Sequence, residues 1–196
     1  DPTIVTADIP GRRFSDITVQ TPLYTTQISE KGAAITSFIL ENYREAVDKD
    51  APKKQIISPN NSKGTAIVEL VNDPTPNMAG TVYTTDADAD RVEMTKTVDT
   101  ISFFMETASG ILIEKKFTFF PESYKIILDV LLTNRSGQPL EGGMQVLLAN
   151  PPPDGRGGFA FEGPFAYIDG SLEEIKINKI SKTDTLTGEV DRKSVV

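Results

Sequence analysis

The chain has 196 residues, with 20 Lys and Arg against 28 Asp and Glu, and it contains no His, Cys or Trp, so its formal net charge is −8. Without His or Cys there is no Ser-His-Asp or Cys-His nucleophile pair, no His-ligated zinc, no thiolate chemistry, no iron–sulfur cluster and no disulfide. The acidic balance opposes nonspecific binding to nucleic acid, which needs clustered Lys and Arg.

Size scaling gives a fold that buries about 70% of the surface its unfolded chain exposes, enough for one self-standing domain. Residues 1–16 read as an N-terminal extension, 17–180 as the domain and 181–196 as a polar tail or truncated linker. The apolar stretches are short, such as Ile126 to Leu132 interrupted by Asp129, far below the ~20 residues of a membrane span. No signal-peptide pattern opens the chain. The fragment is therefore expected to be soluble and not membrane-embedded.

Taken in chain order, hydrophobic periodicity is mostly two, the mark of strands. Thr18 to Ile28 and Ala34 to Leu40 flank a turn at Glu30-Lys31-Gly32, and Glu41 to Asp48 is the one plausible helical turn. Thr65 to Val71 is a further strand, bounded by Lys63-Gly64 and by Asn72-Asp73-Pro74.

The clearest block runs from Thr100 to Asn134. Ile101, Phe103 and Met105 alternate with polar neighbours, as do Ile111, Ile113, Phe117 and Phe119; from Tyr124 to Leu132 the even positions are apolar. A one-residue slip would turn a strand inside out, so these parities fix loop lengths. Ala108-Ser109-Gly110 fits an odd, three-residue hairpin loop with Gly110 left-handed. Phe120 to Ser123 fits an even loop that sets Phe119 opposite Tyr124, with Pro121 opening a type I turn. The result is a three-stranded meander with one buried face. Met144 to Leu148, Phe159 to Tyr167 and Leu172 to Ile177 complete an all-β chain of antiparallel strands with little helix.

Three local patterns invite a chemical reading. Asp86, Asp88 and Asp90 open like a calcium loop, but Arg91 and Thr97 occupy the positions where an EF-hand needs Gly and Glu, so a solvated acidic loop is the better reading. The run from Asn150 to Gly158, with three prolines and then Asp154 and Arg156 among glycines, lacks the Lys of a phosphate loop and reads as an inter-strand connection. Glu162, Asp169, Glu173 and Glu174 cluster in sequence, yet nothing in their spacing makes two carboxylates converge for glycoside chemistry. Phe165 and Tyr167 are core by default and partner-facing at best. Neither cofactor nor metal is expected, and the candidate ligand- or partner-facing residues are Asp154, Arg156, Glu162, Phe165, Tyr167 and Asp169.

Three ordered segments carry a resemblance. Ile17-Thr-Val-Gln-Thr-Pro-Leu-Tyr24, continued by Ile28-Ser-Glu-Lys-Gly-Ala-Ala-Ile-Thr-Ser-Phe-Ile-Leu40 and Tyr43, resembles the opening of the large periplasmic domain of bacterial YidC-type membrane protein insertases. Ile113-Glu-Lys-Lys-Phe-Thr-Phe119 with Tyr124 and Asn134 is similar to its central strands. Phe161-Glu-Gly-Pro-Phe-Ala-Tyr167, Asp169-Gly170 and Leu172-Glu-Glu-Ile-Lys-Ile177 look like its late signature.

The resemblance implies a β-supersandwich, the galactose-mutarotase-like architecture, in a soluble periplasmic domain of an inner-membrane multi-pass protein. It also implies a noncatalytic role: contact with the Sec translocon and its SecDF components, and chaperone-like support of nascent membrane proteins through the parent. Mutarotation in that architecture uses His, which this chain lacks. The rival is a carbohydrate-binding or sugar-processing module with Glu162, Tyr167 and Asp169 lining a cleft. A plain structural spacer is the third reading.

Overall fold

The computed structural model describes residues 15–73, 77–151 and 165–174. The regular structure of the described residues is all strand apart from a single 3-10 turn at Met78–Gly80. The chain divides after Pro151 into two compact units.

In the first unit, β1 (Asp16–Gln20), β2 (Tyr24–Ser29), β3 (Ala34–Arg44), β4 (Lys53–Gln55) and β7 (Arg91–Glu93) form a five-stranded sheet in the order β4-β3-β2-β1-β7. All neighbours are antiparallel except β7, which runs parallel to β1. A second sheet has the order β10-β9-β8-β6, from β6 (Thr84–Thr85), β8 (Asp99–Glu106), β9 (Ile111–Phe119) and β10 (Ile126–Asn134). β5 (Ile67–Leu70) pairs with β11 (Met144–Leu147). Ile17, Val19, Tyr24 and Ile28 from the first sheet join Ile101, Phe103, Met105, Ile111, Ile113, Phe117 and Phe119 from the second in one buried core. This gives a sandwich-like, all-β unit.

The meander forms with the predicted parity. Met105 pairs with Ile113 and Ile101 with Phe117, across a loop of three residues in which Gly110 is left-handed at φ 84°. The second loop is longer than predicted. Phe119 faces Ile126 rather than Tyr124, so six residues connect the strands instead of four. A turn does close at Phe120–Ser123, where the Ser123 N–H donates to Phe120 O at 3.1 Å. Tyr124 and Lys125 then run outside the ladder, which leaves Tyr124 40% exposed. Parity survives because two residues, not one, were added.

Two other expectations are corrected. The stretch from Thr18 to Ile28 is not one strand: Pro22 cannot donate to a ladder, and the chain reverses there. The Thr21 N–H donates to Tyr24 O at 2.9 Å, and the Thr21 hydroxyl accepts from the Tyr24 N–H at 3.0 Å. Residues 41–48 hold no helix. β3 runs on to Arg44, the Glu45 N–H donates to Pro52 O at 3.0 Å, and the chain turns back into β4. Strand pairing with Lys53 and Lys54 outweighs the helix propensity of a Glu- and Ala-containing stretch.

The described part of the second unit is a hairpin of β12 (Phe165–Ile168) and β13 (Ser171–Glu174), joined by Asp169-Gly170. Residues 159–164 and 175–177, also expected to be strand, lie outside the described residues.

Candidate functional site

Of the six residues singled out from sequence, Asp154, Arg156 and Glu162 lie outside the described residues. Phe165 pairs with Glu174 and Tyr167 with Leu172 across the β12–β13 ladder. Asp169 is exposed and occupies the first position of the two-residue turn, at φ 49°, followed by Gly170 at φ 82°. Two successive left-handed residues are the signature of a type I′ hairpin turn, in which Asp-Gly is a favoured pair. The backbone of Asp169 fits that turn.

The acidic triplet before β7 also has structural work. Asp86 ties its loop to β8 with one backbone and one side-chain bond: its N–H donates to Ser102 O at 3.2 Å, while its carboxylate accepts from the Ser102 N–H at 2.8 Å. The Asp90 carbonyl accepts from the Thr18 N–H at 2.7 Å, which starts the parallel pairing of β1 with β7. Among the described residues, no three of His, Cys, Asp and Glu converge on a point that would hold a metal ion. Asn150, at the head of the proline run, clamps a neighbouring loop. Its Oδ1 accepts from the Ser58 N–H at 2.8 Å and its Nδ2 donates to Ile56 O at 2.9 Å.

Glu41 is held below its ordinary range. Its hydrogen bond with Lys53 is the first cause, and the Thr25 hydroxyl, donating at 2.7 Å, is the second. It ties β3 to β4 and to β2.

Two features escaped the sequence. One is an exposed aromatic pair, Tyr43 at the end of β3 and Tyr124 in the β9–β10 loop, packed edge to face with centroids 6.1 Å apart. The parity rule places Tyr124 in the core, whereas the structure exposes it. The other is Lys115. It stands on β9 between Ile113 and Phe117, on the odd parity that faces the core, and it is fully buried opposite Phe103.

The Lys115 ammonium donates to three backbone carbonyls: Gly32 O at 3.0 Å, Ala33 O at 2.5 Å and Ala66 O at 2.7 Å. It also lies 5.6 Å from the Phe117 ring centroid and 5.8 Å from that of Tyr83. Burial pushes its pKa down to about 7. Three carbonyl acceptors work the other way, because only the charged form carries three N–H donors. Its signal in the sequence was a lysine on the apolar row of an otherwise regular strand. Nearby, the Tyr83 hydroxyl is buried with no hydrogen-bond partner among the described residues, and burial raises its pKa.

These features define an acidic all-β domain whose described polar groups mostly hold turns and strand pairs. The comparisons place it more narrowly. The family model for the YidC periplasmic domain matches residues 16–194. A membrane protein insertase YidC from Syntrophobacter fumaroxidans is 26% identical over 179 residues, covering 89% of this chain and 32% of the relative. Another, from Pelobacter propionicus, is 29% identical over 177 residues, covering 87% and 32%. A third, from Marinobacter nauticus, is 30% identical over 132 residues, covering 64% and 23%. The chain belongs to the YidC periplasmic domain family, and is thus a periplasmic domain. It spans about a third of the length of the first two relatives. No described helix is long and apolar enough to cross a membrane.

Proposed function

We propose that this chain is a noncatalytic accessory domain of a membrane protein insertase. In this role it contacts Sec translocon and SecDF components and supports nascent membrane proteins while the rest of the parent inserts them. The observation that carries the reading is the family match over residues 16–194, together with relatives named as insertases of which this chain spans only a third. Insertion then belongs to the remaining two thirds.

The chemistry supports a noncatalytic role. The chain has no His or Cys. Among its described carboxylates, Glu41, Asp86 and Asp169 are explained by strand and turn geometry. The test is affinity purification of the parent from membranes, with and without residues 16–194, at matched amounts. The reading expects Sec components to fall away when the domain is deleted. An unchanged set of co-purifying proteins would overturn the partner role and favour a spacer.

A further inference from the structure

The three carbonyls that meet Lys115 share an unusual property. Gly32, Ala33 and Ala66 all have left-handed backbone, with φ of 74°, 42° and 61°. A left-handed residue turns its carbonyl out of the direction the flanking strand would give it. Two separate turns, one before β3 and one before β5, thereby aim their carbonyls at a single buried point. Ala33 and Ala66 carry side chains in a conformation that is strained for an L-residue. Such strain persists where the surroundings over-determine it. Lys115 is the group on which both turns converge, reached from β9 across the sandwich.

We propose that these three carbonyls form a built cation cage selective for a primary ammonium, and that Lys115 is its tethered ligand. The cage matches that chemistry. It presents three acceptors to the three N–H bonds of an ammonium, and the π faces of Tyr83 and Phe117 stand at cation–π range. It also locks the β2–β3 turn to the segment entering β5. Apart from Lys115, the pairing of Ile35 with Thr65 is the backbone tie that joins those segments. This inference concerns the fold and stands apart from the insertase reading.

The experiment is chemical rescue at pH 6. Lys115→Ala removes three methylenes and the ammonium, the atoms of propylammonium. The variant is refolded from urea with propylammonium chloride, with sodium chloride at the same ionic strength, or with 1-propanol at the same concentration, and then melted. Propylammonium is expected to raise the Tm of K115A, or to restore folded signal if the variant is otherwise unfolded. Neither control should match it, and wild-type protein should not respond. A companion variant, Lys115→Met, fills the space without charge and leaves three carbonyls without a donor; its Tm is expected to fall, with no rescue. Equal rescue by 1-propanol would show that the site reads volume rather than charge, and would overturn the cage. So would K115M melting with the wild type, or K115A failing to respond to any additive.

Discussion

Gly64 and Gly137 offer a matched pair of substitutions that separates backbone strain from steric clash. Both have φ of +71°. Alanine at either site incurs the left-handed penalty, about 1 kcal/mol at the lower end of its range. At Gly137 nothing among the described residues lies within 4 Å of the added Cβ, so that penalty is the expected effect. At Gly64 the Cβ would sit 2.8 Å from Ile35 O and 2.9 Å from Ala34 Cβ. Both are fixed groups, because Ile35 exchanges backbone hydrogen bonds with Thr65 and Ala34 is fully buried. Relieving that contact requires a backbone shift, which adds about 1–3 kcal/mol. Urea unfolding is the assay. With m of about 2 kcal/mol/M, Gly137→Ala should lower the midpoint by about 0.5 M and Gly64→Ala by about 1–2 M. Equal midpoints for the two variants, or a milder effect at Gly64, would refute the packing inferred around the turn before β5.

Three further outcomes are expected. Tyr83→Phe removes a buried hydroxyl without a partner among the described residues, so stability should rise by about 1 kcal/mol; a loss of that size would mean the hydroxyl is satisfied in solution. Lys115 has a folded pKa of about 7 against 10.5 when exposed. Below about 7 the ammonium occupies its three carbonyls, but above it burial costs the charge more than they return and the unfolded chain binds more protons, so stability should climb with pH across that window in wild type relative to K115M; parallel profiles would contradict the lowered value. Glu41 has a folded pKa below 4.5, so the stability it contributes is present above that value and is lost as pH falls through the folded one. Acid titration of Glu41→Gln should show a smaller loss there than wild type, and an identical profile would remove Glu41 from the account.

The meander was legible because period-two alternation and loop parity constrain each other. Ile101, Phe103, Ile113 and Phe117 had to share a face, and a three-residue loop with Gly110 was the arrangement that let them. Parity cannot tell a four-residue loop from a six-residue one, which is why Tyr124 was misplaced by one pair of residues. Pro22 was a readable stop inside the first strand. The Glu41–Asp48 expectation failed for a different reason: local propensity is weak, and Lys53 and Lys54 are brought to β3 by pairing that no local pattern encodes.

The Lys115 cage was half legible. The lysine's inward parity is plain in the sequence, but its acceptors lie 49 to 83 residues away and exist only because two turns are left-handed. The carboxylates near residue 170 looked like chemistry because turn residues and catalytic residues draw on the same amino acids. At Asp169 the left-handed backbone shows the turn role.

A membrane-insertion assay distinguishes an accessory domain from an inserting one. The parent protein with and without residues 16–194 would be reconstituted in equal amounts in vesicles, and insertion of a small membrane protein followed by protease protection. The deleted form is expected to retain most of the insertion seen with the intact parent. Insertion reduced to the level of vesicles lacking the parent would contradict it.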